Sequence, residues 1–456
     1  MTTMSRSAHW PPLFRRFNSH QSRQQLFNET RHAPGTYTTT LVNDFGKKVK
    51  YTLIVTADDQ QIFLPQQKAD GLAGPIYFRS YSKFFKRYNA MTELPLGARQ
   101  FVKQYLQEFA VKLNHKLTPE SLTMGIVTDT HDKANANYTY YGVNGLQHVQ
   151  ELNLLDETGI LDIKGHLGDA IDGSDQPAIS QARLGKIVAT LNESKTPFFM
   201  VEGNHDANDK YDEKFFHDRP SFTAKTYGNL VYKKLFAQPQ IHVVDWQSGL
   251  GYFDKGQVRV IFLNTSDVPF LLNADGTKKY DVKLTLAIRQ QQIEALVALL
   301  QSSSNRRIVI CGHANLIDAK GDDALQYNGH AVHELLVAFN HRLKGRLQPQ
   351  VTNPDFTVNV EFDFSQQQGG QVWAYICGHR HLEAEYKHQG IKYILLNCSA
   401  LMGPDHQLTT HFNQNWQRKQ GTMTEFAGYV IDIDAKTRKI NVYGYGAATP
   451  ERKFNF

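Results

Sequence analysis

Five short polar clusters carry the side chains that could do chemistry. They are Val127-Thr128-Asp129-Thr130-His131-Asp132, Gly168-Asp169, Gly203-Asn204-His205-Asp206, Cys311-Gly312-His313 and Gly378-His379-Arg380-His381. Most follow an apolar run, and such groups are unfavourable to bury unless something binds them. Asp129, His131, Asp169, Asn204, His313, His379 and His381 make seven oxygen or imidazole donors, with no thiolate among them. That donor chemistry suits Mn, Fe or Zn. Seven donors exceed one tetrahedral site; they suit two five- or six-coordinate ions sharing a carboxylate, roughly 3.5–4 Å apart. Such a pair lowers the pKa of a bridging water, giving a hydroxide at neutral pH, and polarises phosphoryl oxygens.

The elements that must position these donors follow from the patterning. Leu122 to Val127 reads as a buried strand delivering Asp129, Leu161 to Leu167 as one delivering Asp169, and Phe198 to Val201 as one delivering Asn204. Helices are expected between them, over Val143–Glu157 and Gln176–Glu193. This strand–helix alternation, with polar residues at strand ends, is how α/β proteins build sites. The second half reads as a mixed sheet. A hairpin spans residues 251–263, and strands at 307–311 and 372–377 deliver His313 and His379. Helices are expected over 284–300 and 330–342, and further strands at 391–396, 428–433 and 440–445.

Residues 1–118 read as a separate small extension. It begins with a basic arm to about residue 35, continues with a hairpin through Tyr51–Pro65, and ends in a helix over Leu96–His115. That helix carries Phe101, Tyr105, Phe109 and Leu113 on one face. The main domain is expected over 119–456.

Composition excludes several classes. At 456 residues, 41% hydrophobic and 21% charged, the chain has the balance of an ordinary globular protein. A net charge of +6 suits anionic substrates without pointing to nucleic acid. Cys311, Cys377 and Cys398 are odd in number and far apart, so buried free thiols are expected rather than disulfides or a Cys-rich zinc site. No run approaches the roughly 20 apolar residues of a membrane helix, and Met1–Gln25 has no apolar leader core. A cytoplasmic protein is expected, with no membrane or nucleic-acid signal; the oligomeric state is not legible.

Asp-Thr-His, Gly-Asp, Gly-Asn-His-Asp, His and Gly-His-Arg-His, in that order over about residues 122–400, resemble the calcineurin-like metallophosphoesterase superfamily. The resemblance implies a four-layer α/β/β/α sandwich of two mixed sheets, here with a small N-terminal α+β extension. It implies that Asp129, His131 and His381 hold one metal, that Asn204, His313 and His379 hold the other, and that Asp169 bridges them. It implies that His205 faces the substrate, stabilises the phosphoryl group and protonates the leaving oxygen. Asp172 matches the carboxylate that supports this histidine. Asp206 reads as a loop brace, Asp132 as a candidate for holding a ligand from behind, and His148 and His242 as ordinary core or surface residues.

Departures narrow the substrate. Gly168-Asp169-Ala170-Ile171-Asp172-Gly173 lacks the arginine of the superfamily's protein phosphatases and the ligand tyrosine of purple acid phosphatases. What the resemblance leaves is a bacterial-type phosphoesterase acting on a small phosphorylated substrate, foremost a phosphodiester, through a metal-bridging hydroxide. Tyr138, Tyr140 and Tyr141 are pocket candidates. The alternatives are a nucleotidase or other phosphomonoesterase and, from another class, a non-catalytic phage- or cell-wall-associated protein that keeps the fold.

Overall fold

The computed structural model describes residues 32–33, 35–42, 48–55, 60–66 and 76–79, and 97–456 apart from 135–143, 211–221, 223, 350, 401–417 and 419–420. The three tyrosines at 138–141 and the basic arm to residue 31 lie outside the described residues.

The chain starts with an antiparallel four-stranded sheet, β1 (Gly35–Val42), β2 (Lys48–Val55), β3 (Gln60–Pro65) and β4 (Ile76–Arg79). Helix α1 (Gln100–Asn114) follows, then β5 (Leu122–Val127), α2 (Gly145–Asp156), β6 (Ile163–His166), α3 (Pro177–Leu191) and β7 (Phe198–Met200). Strands β5, β6 and β7 run parallel. All six residues of β5 are buried, as both faces of a central parallel strand should be.

The second half opens with β8 (His242–Asp245), β9 (Leu250–Lys255) and β10 (Val258–Leu263), followed by α4 (Gln290–Gln301), β11 (Arg307–Gly312) and α5 (Gly329–His341). A small hairpin of β12 (Lys344–Leu347) and β13 (Val360–Asp363) precedes β14 (Gln371–Cys377), β15 (Ala384–His388) and β16 (Ile391–Leu395). Strands β17 (Ala427–Asp434), β18 (Lys439–Gly446) and β19 (Arg452–Asn455) then return to the first half, where β17 pairs antiparallel with β5.

Two mixed sheets result: six strands in the order β19-β18-β17-β5-β6-β7, and seven in the order β15-β16-β14-β11-β10-β9-β8. Their inner faces meet in one core, where Phe199 of β7 stacks on Phe262 of β10 at 4.3 Å. The pleat sorts the second sheet's residues by layer. In β11, Val309 and Cys311 join the core between the sheets, while Ile308 and Ile310 face a second core with α4 and α5. With α1, α2 and α3 on the outer face of the first sheet, this is the expected α/β/β/α sandwich.

Two expectations need correction. The helix expected from residue 284 begins at Gln290, because Ala287 forms main-chain bridges with Ser266 and Tyr327 and so keeps this stretch extended. Helix α1, grouped above with the extension, packs into the main core through Val102, Leu106, Ala110 and Leu113. Its Phe101 and Tyr105 point outward, 43% and 36% exposed. An aliphatic stripe lies one residue further round the same helix, and it won the buried face.

Candidate metal centre

All five clusters sit where strands of the two sheets end, at the C-terminal edges of β5, β6, β7, β11 and β14. That edge is where open α/β sheets place ligands. Main-chain hydrogen bonds lace the loops together. Asp129 N donates to Gly168 O at 3.0 Å, His131 N to Asp169 O at 2.9 Å, and Gly378 N to His313 O at 3.0 Å. Close approach requires glycine at two of these positions. A Cβ at Gly203 would strike the Asp169 main chain and carboxylate, and one at Gly378 would strike the Asp129 carboxylate and the Thr128 hydroxyl.

The seven donors converge in two groups that share Asp169. In the first, His131 Nε2 and His381 Nε2 are 3.0 Å apart. His381 Nε2 lies 3.3 Å from Asp129 Oδ1, and His131 Nε2 lies 3.6 Å from Asp169 Oδ2. In the second, Asn204 Oδ1 is 3.0 Å from His313 Nε2 and 3.1 Å from His379 Nδ1, and His313 Nε2 is 3.4 Å from Asp169 Oδ2.

His313 Nδ1 donates to Leu167 O at 2.8 Å, so that nitrogen carries a proton and leaves the ring's Nε2 lone pair or its second proton for the site. Asn204 Nδ2 donates to Lys283 O at 2.9 Å, which turns Oδ1 inward. Two acceptors, Nε2 and Oδ1, therefore face each other at 3.0 Å. Only a cation between them, a proton or a metal ion, makes that favourable. Oxygen and imidazole donors converging this way fit a pair of transition-metal ions.

The charges are mutually dependent. Burial alone would lower the His313 imidazolium, but the Asp169 carboxylate more than offsets it and lifts the pKa to about 9. Burial would raise Asp169, yet His313 and then His205 hold it well below the usual carboxylate range. For Asp129 the opposing influence is the hydrogen bond and charge of His381, which keep it low against burial. Burial, followed by the His313 charge, pushes His379 down to about 3.

His205 stands beside the first group, its ring edge-on to His131 at 4.8 Å. Its main-chain N donates to Asp169 Oδ1 at 2.8 Å, and its Nδ1 donates to the main-chain carbonyl of Asp172 at 2.9 Å. The orienting contact expected from the Asp172 carboxylate is thus made by that residue's backbone. The carboxylate itself accepts from Lys210 Nζ at 2.8 Å and from the Ser174 hydroxyl, with Lys133 Nζ at 3.8 Å.

Asp206 braces the loop by accepting from Gly203 N and Ile171 N. Asp132 accepts from Arg183 at 2.6 Å and from Leu146 N at the start of α2. Sequence reasoning missed Lys133, Lys210 and Arg183. Lys133 directly follows the first cluster and Lys210 lies four residues after the third, and that position was the available signal.

Two sheets packed face to face, with oxygen and imidazole donors gathered at their neighbouring strand ends around one carboxylate, fit a dimetal hydrolase. Residues 122–383 match the family described as calcineurin-like phosphoesterase, which is more than half of the chain, and the protein belongs to that family. It is accordingly an enzyme: a metal-dependent hydrolase of phosphoesters, from a family that works with two metal ions. Among solved structures it is similar to a dimetal phosphatase from Danio rerio, at 15% identity and a TM-score of 0.49, over 74% of this chain and 99% of that one. It is also similar to a purple acid phosphatase from yellow lupin seeds, at 10% identity and 0.39, over 92% and 66%. A third is a putative 5′-nucleotidase from Staphylococcus aureus, at 14% and 0.34, over 74% and 54%. No curated protein matches the sequence. Among the described residues, no helix is long and apolar enough to cross a membrane.

Proposed function

We propose that this enzyme hydrolyses a small phosphodiester. In this reading Asp129, His131 and His381 hold one metal ion, Asn204, His313 and His379 hold the other, and Asp169 belongs to both. When bound, such a pair supplies an activated water and neutralises phosphoryl charge. The chain's own part is positional. Asp169, fixed by the His205 main-chain N at 2.8 Å, keeps the two donor groups in register. His205 spends Nδ1 on the Asp172 carbonyl, which leaves Nε2 as the ring atom that works on substrate. In its protonated form Nε2 hands a proton to the departing oxygen as the P–O bond breaks.

The observation that carries this reading is the convergence of acceptor atoms on two points sharing one carboxylate, with His205 alongside. The test is turnover of bis(4-nitrophenyl) phosphate by Mn²⁺-loaded protein; activity that survives Asp169→Ala would sink the mechanism. A monoester substrate is the second reading. Lys210 and Lys133 flank Asp172 beside His205, where the extra negative charge of a monoester would be met. Comparing kcat/KM for bis(4-nitrophenyl) phosphate and 4-nitrophenyl phosphate separates the two. We also infer that the N-terminal extension ends before Arg99, because α1 shares the main core.

A further inference from the structure

The loop between β10 and α4, residues 264–289, runs along the second donor group. Asn204 Nδ2 donates to Lys283 O at 2.9 Å. Asp209, five residues after Asn204, accepts from Lys278 Nζ at 2.5 Å and from Val282 N at 2.7 Å. Lys279 N donates to Leu271 O at 2.8 Å, and Asn273 N to Thr277 O at 2.8 Å, so residues 271–279 fold back as a hairpin. The whole stretch 271–284 is therefore stapled to the loop that carries Asn204 and His205.

Beside the polar tip at Asn273, Asp275 and Gly276, this stretch presents apolar side chains. Leu271, Leu272 and Leu284 are 37%, 52% and 61% exposed, and Val268, Pro269 and Phe270 are only half-buried. Several of its charges are engaged within the fold, Lys278 on Asp209, Lys279 on Asp355 at 2.5 Å and Asp267 on Arg289 at 2.6 Å, while Asp275 is exposed at the tip of the hairpin. A single exposed leucine needs no explanation. Three on one loop, itself fastened to a donor residue by a hydrogen bond, put exposed apolar surface on a segment that adjoins the site.

We propose that this loop binds the group esterified to phosphate, and that the group is an alkyl chain: the substrate is an amphiphilic phosphodiester. The proposal rests on the phosphodiesterase reading above, and the experiment has one arm that needs no turnover. Methyl, butyl and octyl esters of methylphosphonate are titrated calorimetrically into Mn²⁺-loaded protein. In parallel, kcat/KM is measured for the matching 4-nitrophenyl alkyl phosphates.

Affinity and kcat/KM should each rise about two- to threefold per added CH₂, short of the roughly fourfold of complete burial. In L271Q/L272Q/L284Q the octyl-to-methyl ratio should collapse towards one, and in L284Q alone it should fall part of the way. Equal binding of all esters by the unaltered protein overturns the proposal, as does a ratio that the substitutions leave intact. Light scattering covers the other occupant: leucine substitutions that turn a dimer into a monomer and leave the ratio intact make the loop a self-association surface and also overturn it. Chain-length-dependent binding without hydrolysis of any ester would fell the phosphodiesterase reading and leave the apolar lip standing. Hydrolysis of all esters at one rate would do the reverse.

Discussion

The two donor groups share Asp169 but are held in different ways. The first stands on unusual backbone: Asp129, His131 and His381 have φ of 51°, 43° and 53°. The left-handed region is disfavoured for residues with a Cβ, by about 1–3 kcal/mol each, and persists only where the surroundings over-determine it. Asp169, common to both groups, is also left-handed at 51°, but of the residues peculiar to the second group only His379, at 64°, is. Asn204 and His313 are instead aimed by hydrogen bonds from their side chains to the carbonyls of Lys283 and Leu167. One group is set by main-chain strain and the other by side-chain tethers, so they should fail differently when perturbed.

The largest effect should come from the residue that belongs to both. Asp169→Ala should lower kcat/KM by about 10⁴-fold or more and leave fewer than two metal ions per chain by elemental analysis. An enzyme that keeps both ions and most of its activity would end the idea of a shared carboxylate. Next comes His205→Gln, which replaces a side chain belonging to neither donor set and keeps the main-chain N that holds Asp169. It should lower kcat by about 10²–10⁴-fold, the range for one acid–base group, with metal content unchanged. Loss of metal in this variant would move His205 from the proton-transfer role to a ligand role.

A pH series sharpens the contrast further. In the metal-free protein His313 has a pKa of about 9, above its ordinary value, so it is protonated at neutral pH. That proton stabilises the metal-free fold fully below about pH 6.5, and the benefit is lost as pH rises through about 9. A metal ion entering the second group must displace it. Affinity there should therefore rise about tenfold per pH unit from about pH 7 to 9 and then level off. His131, held well below its ordinary range mainly by burial, has no such proton to lose, so the first group should respond much less. Calorimetric Mn²⁺ titrations at pH 7, 8 and 9 with flat affinity at both sites would erase this difference.

The donors were legible in the sequence because each is a polar residue ending an apolar strand, and a strand end is a fixed place in an α/β sandwich. The alternation of strands and helices gave the layers for the same reason. The outward face of α1 was not legible, because Phe101 and Tyr105 repeat with the same period as Val102 and Leu106, and periodicity alone does not choose between stripes. The support of His205 was misassigned for a related reason. Asp172 occupies the expected position, but a sequence does not distinguish a carboxylate from the carbonyl of the same residue. His148, by its sequence an ordinary core or surface residue, is buried; its partners, Ser399 and Glu425, lie about 250 and 280 positions away, beyond any local pattern.

Those partners bear on how the first group's strain is maintained. Ser399 N donates to Thr128 O at 2.8 Å and Ala400 N to Asp129 O at 3.0 Å, so the turn that carries Asp129 is pinned from behind. The Ser399 hydroxyl lies 3.3 Å from His148 Nδ1, and His148 Nε2 donates to Glu425 Oε1 at 3.1 Å. Glu425 in turn accepts from Arg99 at 2.8 Å, at the start of α1. This buried chain fastens the strained turn to the helix layer, and nothing in it reaches Asn204 or His313. His148→Leu keeps the bulk and removes both hydrogen bonds. It should weaken metal binding at the first group by about tenfold, the lower end for outer partners, while the second group's affinity stays within about twofold. Two-site Mn²⁺ titration reads both values at once. Equal weakening of the two groups would mean that the strained turn and the tethered side chains draw on one common support, and the distinction between them would fall.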